Sequence, residues 1–211
     1  AAFGFSVDIH PHTPGIARVI VGAPLALNTN NEQTGRAFVF QGGIGGWSLE
    51  QILDNPNGTL DGEYGARVAI NDSFAFVTAA GELNGTGGNG NVWSQVLDRN
   101  GQAQKVPLPR TGGDVSDGFG DGLAHDGDVL LIGAPQSTVD GVMCGQAHVY
   151  HCSDELPAYL QTLNAPEQWQ VPNARFGHSV AVDDTSKMSA LLIGTPSLND
   201  RIAGGAASYR L

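Results

Sequence analysis

The chain of 211 residues carries 30 Gly and 11 Pro, and only 15% of it is charged, a composition of short strands joined by tight turns rather than of helices. Ten Lys and Arg against 21 Asp and Glu leave a formal charge of −11, which repels phosphate backbones and anionic headgroups and argues against nucleic acid and membrane surfaces as partners. Hydrophobic residues at 41% suffice for a folded core, and no run approaches the roughly 18 apolar residues of a membrane-spanning helix.

In chain order, the sequence opens on Ala1-Ala2-Phe3-Gly4, already inside a repeating pattern, as a processed or trimmed start would. Four segments begin with an aromatic–Gly pair, Phe3-Gly4, Tyr64-Gly65, Phe119-Gly120 and Phe176-Gly177, spaced 55 to 61 residues apart. An alternating apolar run follows each pair, then a turn, then a more strongly apolar run. That second run ends in Gly22-Ala23-Pro24, Thr78-Ala79-Ala80, Gly133-Ala134-Pro135 or Gly194-Thr195-Pro196. A polar loop leads to a third strand opened by Gly35, Gly90, Gly145 or Gly205. Fourth candidate strands lie between repeats, as at 47–53 and 158–163.

These segments read as four-stranded antiparallel blades. Runs such as Val19-Ile20-Val21 and 129–132 are too continuous for a sheet with one wet face, so they predict strands covered on both sides. Gly at the end of such a run admits a neighbouring backbone, Pro then stops the ladder, and the aromatic ring plugs the gap between successive sheets. A two-sheet sandwich explains the strands equally well, but not their fourfold recurrence.

Aromatic–Gly followed by Gly-Ala-Pro at this spacing resembles the FG-GAP repeat of integrin α-subunits and of many secreted and bacterial surface proteins. The segment from Phe3 through Pro24 and 35–40 is similar to an integrin α-chain repeat. The segments 159–166 and 175–182 resemble the microbial form, and the second repeat is degenerate. The resemblance implies an all-β fold: a single β-propeller over residues 1–211, with repeats at about 3–63, 64–118, 119–175 and 176–211 and the last blade incomplete. Three arrangements stay open: a small ring with an incomplete blade, a fragment of a larger propeller, or an open half that self-associates with another copy. The resemblance further implies an extracellular or cell-surface, non-catalytic adhesion module that recognises a protein or glycan through propeller loops. The alternatives are a rigid structural part of a larger surface assembly, or an accessory domain of a secreted hydrolase.

The chain departs from the family at its metal loops. Many members carry a calcium loop between the first two strands of a blade. Here those connections are 10–15, 71–73, 125–128 and 183–187, and none spaces three carboxylates around a glycine. No cofactor is expected, and Asp126 with Asp128 is the nearest approach to a cation site in those connections. The denser acidic turn Asp114, Asp117, Asp121 surrounds Phe119-Gly120 and reads as a blade-connecting loop. His10 and His12 near Asp8 read as a solvated loop broken by Pro11 and Pro14; His148, His151 and Cys152 make at best a fragment of a zinc site. Neither Gly-x-Ser-x-Gly nor a reactive Cys context is present, and His178 beside Ser179 points to the opposite face of a strand.

The candidate ligand-stacking residues are Trp47, Trp93 and Trp169, with interblade packing as the competing role. Asn57, Asn71 and Asn84 head Asn-x-Ser/Thr triplets in turn-like stretches and are the candidate N-glycosylation sites. Cys144 and Cys152 bracket a strand-like segment of about 26 Å when extended, too long for a disulfide between them if it runs straight.

Overall fold

The computed structural model describes residues 2–83, 89–97, 105–108, 117–152, 156–185, 188–199 and 202–211. Every described element is a β-strand apart from one 3-10 turn, Glu167–Trp169. The strands gather into two compact units: Ala1–Leu83 with Asn91–Leu108, and Asn84–Gly90 with Pro109–Leu211.

The first unit holds two four-stranded antiparallel sheets. Sheet 1 is β1 (Ser6–Thr13), β2 (Ile16–Ala23), β3 (Arg36–Gly43) and β4 (Gly46–Asp54), in that order. Sheet 2 is β5 (Tyr64–Ile70), β6 (Phe74–Leu83), β7 (Asn89–Val96) and β8 (Lys105–Pro107). Ile20, Ala37, Val39 and Leu53 of sheet 1 pack with Val68, Ile70 and Val77 of sheet 2 in one buried cluster.

In the second unit, sheet 3 joins β9 (Gly122–Asp126), β10 (Val129–Ala134), β13 (Gln146–His151) and β14 (Ala158–Asn164). Sheet 4 has three strands, β15 (Ser179–Thr185), β16 (Met188–Asn199) and β17 (Ile202–Arg210). Val129, Leu131, Ala147 and Val149 pack against Leu191 and Ile193, with Val180, Val182 and Tyr209 closing over them.

Among the described residues the sheets number five rather than the four expected. The fifth is a small hairpin, β11 (Thr138–Val139) with β12 (Val142–Met143), in what the sequence presents as a polar loop. Its turn is Asp140-Gly141, with φ of 49° and 82°; two successive positive φ values are the requirement of the tight hairpin turn that Asp-Gly favours.

Each half of the repeat motif has an atomic role. Within a sheet, the amide of the aromatic–Gly glycine donates to the carbonyl of the Gly-Ala-Pro glycine: Gly4 to Gly22 at 3.1 Å, Gly120 to Gly133 at 2.9 Å and Gly177 to Gly194 at 3.1 Å. Between sheets, the next glycine's carbonyl oxygen lies where a β-carbon would be. A Cβ on Gly22 would overlap the Gly65 oxygen, and one on Gly133 the Gly177 oxygen. The aromatic rings Tyr64, Phe119 and Phe176 are fully buried, as a plug between sheets should be. Phe3 is not: it stays 57% exposed, turned edge-on to Phe38 and Phe40 of its own sheet.

Polar side chains complete the stacking in each unit. Ser6 Oγ accepts the Val68 amide at 3.1 Å and Asp8 Oδ2 the Ile70 amide at 2.9 Å. Burial raises the Asp8 carboxyl above its ordinary range, against the lowering effect of the Ile70 hydrogen bond. In the second unit, Asp126 accepts the Asp184 amide, and Asp184 accepts that of Asp128.

Candidate functional site

The two hairpin tips of sheet 1 form an open cleft of about 730 Å³. One wall is the end of β1 and its turn into β2, from Ile9 and Pro11 to Ile16. The other is the β3–β4 hairpin at Gly42, Gly43, Ile44 and Trp47. The glycines matter here because they leave bare backbone. A Cβ on Gly42 would stand 2.9 Å from Trp47 Cδ2, so the indole rests on the strand opposite it. Trp47 is half exposed and Ile44 wholly so. An indole on a bare backbone, walled by proline and isoleucine, offers a planar apolar surface with little polar competition.

His12 stands at the rim. Its Nδ1 lies 2.6 Å from Asp72 Oδ1, and His10 Nε2 lies 3.6 Å from the other Asp72 oxygen. The hydrogen bond from His12, and then the charge of His10, hold the Asp72 carboxyl below its ordinary value. The residues 10–13 expected to form a loop belong instead to β1, which runs through Pro11 to Thr13. An edge strand tolerates that proline because the missing N–H is not needed by a partner. The i, i+2 spacing then sends both imidazoles to one side, where Asp72 in the β5–β6 turn meets them.

Below this rim lies Arg18, 3% exposed. Its Nε and Nη2 grip Glu50 at 3.0 and 2.6 Å, and Nη1 donates to the Asp72 carbonyl at 2.8 Å. This bidentate pair ties β2 to β4 and to the turn of sheet 2.

The other candidate residues have different surroundings. Trp93 is buried and its Nε1 donates to Glu82 at 2.9 Å, beside Asn91 at 2.8 Å and Thr59 at 3.2 Å. Its indole nitrogen satisfies a buried carboxylate. Trp169 packs partly buried against the core of the second unit. Asn57 is exposed. Asn71 Oδ1 takes the amides of Ser73 and Phe74 at 2.9 and 2.6 Å, an Asx turn that fixes its carboxamide. Asn84 and Asp114 lie outside the described residues.

Asp117 caps the turn before Phe119, accepting that residue's amide at 3.1 Å. His148 is buried, opposite Thr162 across β13–β14, with Nδ1 2.9 Å from Thr162 Oγ1. Among the described residues, no group of three or more His, Cys, Asp or Glu is placed to hold a metal ion.

Both cysteines are free thiols and buried. Burial, with Asp128 nearby, pushes the Cys152 thiol up to about 12, and burial raises Cys144 as well. Because thiolate is the reactive form, a disulfide-exchange reagent at about pH 8 should titrate neither thiol in the folded protein and both after denaturation. A fast-reacting thiol in the native state would contradict this environment.

No protein-family model matches the chain. A 37-residue stretch is 51% identical to mouse integrin alpha-IIb, covering 18% of this chain and 4% of that one. An 88-residue stretch is 40% identical to human integrin alpha-11, covering 40% of this chain and 7% of that one. The chain thus spans a small part of these relatives, and the relation to integrin α chains is a loose one. Among solved structures, it is similar to a glycosyl hydrolase from Bacteroides ovatus at 12% identity and a TM-score of 0.38, over 96% of this chain and 64% of that one.

Proposed function

We propose that the chain is part of an extracellular, non-catalytic binding module of FG-GAP type, its sheets the blades of a β-propeller. In this reading it takes a protein or glycan ligand at the Trp47 cleft. The carrying observation is the half-exposed Trp47 indole laid on the bare Gly42 backbone inside an apolar cleft. Sugars present flat apolar faces that stack on indole, and aromatic anchors of this kind dominate protein interfaces. The partial similarity to integrin α chains supports an adhesion role.

The test is a glycan array and a panel of extracellular-matrix proteins, each probed with the wild-type chain, Trp47→Ala and Trp169→Ala. Trp47→Ala should weaken whichever ligand binds by about tenfold or more, the loss of one stacking anchor. Trp169→Ala should leave binding near wild type. Equal binding by the wild type and Trp47→Ala would sink the assignment of the cleft.

A further inference from the structure

Within the first unit, the connection from β4 to β5 begins with Asn55-Pro56-Asn57-Gly58, the residue order that a tight turn asks for. The Gly58 amide donates to the Asn55 carbonyl at 3.1 Å, and Gly58 takes a φ of 61°. Asn55 is buried and anchors the turn: its carboxamide donates to the Thr34 carbonyl at 3.4 Å and accepts the Asn57 amide at 3.0 Å. Thr59 fastens the other side, its Oγ1 donating to Glu82 Oε1 at 3.2 Å. Between these two pins the turn is open. Asn57 is exposed, and a Cβ on Gly58 would meet nothing within 4 Å. Asn57 and Thr59 are the first and third residues of an Asn-x-Ser/Thr triplet.

The same triplet at Asn71 has other surroundings. Asn71 is half-buried, and its Oδ1 accepts the amides of Ser73 and Phe74. The residue between, Asp72, is gripped from β1 by His12 and from β2 by Arg18, which reaches its carbonyl at 2.8 Å. A bulky group on Asn71 would compete for space with the side chains that join sheet 2 to sheet 1. On Asn57 it would stand on a turn whose two fastenings lie to either side of it.

We infer that Asn57 carries an N-linked glycan in the folded protein and that Asn71 does not. The donor is an N-acetylhexosamine-terminated oligosaccharide on a polyprenyl pyrophosphate. Asn57 Nδ2 forms a bond to the anomeric carbon of that sugar, and the bond from this carbon to the pyrophosphate oxygen breaks. The lipid pyrophosphate leaves with the electron pair, and Nδ2 gives up one proton to a base of the transferring enzyme. The motif needs a hydroxyl at its third residue, and in the fold that hydroxyl is engaged by Glu82, itself fully buried. Transfer therefore precedes the packing of Thr59 against β6, and the exposed turn then holds the glycan in solvent. The inference rests on the extracellular reading for the compartment it needs. It uses neither Trp47 nor the cleft, so a failed ligand screen leaves it standing.

The experiment routes the chain, behind an added secretion signal, through eukaryotic cells that glycosylate, so its outcome is independent of where the protein naturally resides. The secreted protein is treated with a glycan-removing amidase in heavy-oxygen water, which converts each glycan-bearing Asn to a labelled Asp, and its peptides are weighed. Label should appear at Asn57 in most molecules and be absent from Asn71. In an Asn84→Gln background, Asn57→Gln should abolish the mobility shift on deglycosylation, while Asn71→Gln leaves it unchanged. Circular dichroism checks that each variant folds. A second arm offers the transferase and a lipid-linked oligosaccharide to bacterially made chain. The denatured chain should be modified at Asn57 and the folded chain should not. An Asn57 left unlabelled in cells, or in the denatured chain, would overturn the inference. So would equal labelling of Asn71, or modification of the folded chain as fast as the denatured one.

Discussion

Gly133→Ala is expected to cost about 3 kcal/mol or more of folding stability, while Gly194→Ala at the same motif position costs a few tenths. The difference follows from what a methyl group would meet. On Gly133 it overlaps the Gly177 carbonyl oxygen and crowds that residue's α-carbon, backbone atoms held by the sheet 3–sheet 4 joint. Overpacking against backbone lies at the upper end of such costs. On Gly194 the one overlap among its nearest neighbours is with the Ser179 hydroxyl, the end of a short side chain that can rotate away, while the Ser179 carbonyl oxygen stays at an ordinary 3.5 Å. Neither glycine has positive φ, so no backbone strain confuses the comparison. Gly22→Ala should behave as Gly133→Ala does, because the Gly65 oxygen occupies the same place. Chemical denaturation of the three variants decides it, and equal losses at Gly133 and Gly194 would refute the steric account of the motif.

Arg18→Met should lose about 2–4 kcal/mol. The guanidinium is 4% exposed and Glu50 is 27% exposed, so removing the arginine strands a partly buried carboxylate and an acceptor carbonyl on Asp72. Methionine keeps much of the aliphatic packing, which limits the loss to the polar terms. Arg18→Lys should recover little, since an ammonium cannot make the two parallel bonds to Glu50. Glu50→Gln should cost less than Arg18→Met, because its side chain retains one acceptor and some solvent. A loss below about 0.5 kcal/mol for Arg18→Met would put this pair among ordinary surface ion pairs.

The residues legible in the sequence were those whose constraint is local. Gly22 and Gly133 must be glycine because another backbone approaches them, so the aromatic–Gly and Gly-Ala-Pro pairs announced the strands and their antiparallel order. The Asp140-Gly141 hairpin escaped because its strands are two residues long, too short for any alternation to show, although the dipeptide itself was the signal. Pro11 was misleading in the other direction: it suggests a loop, but at a sheet edge it sits inside a strand.

The cleft was less visible still. Trp47 stood out as a candidate stacking residue, but so did Trp93. The two are separated only by their neighbours in space: bare Gly42 under one ring, the Glu82 carboxylate at the indole nitrogen of the other. Arg18 with Glu50, and His10 and His12 with Asp72, join residues 32 to 62 positions apart, and no spacing rule reaches across that interval.

Ser6 and Asp8 have a consequence beyond fastening two sheets. β5 is the outermost strand of sheet 2, and an outermost strand is an open template on which a foreign extended segment can add itself. By filling the amides of Val68 and Ile70 with side-chain oxygens, sheet 1 leaves that template without free donors at the two places where a ladder would begin. A protein so rich in strands, and so poor in helices to cover them, resists polymerising through this border because a serine and an aspartate already stand guard on it.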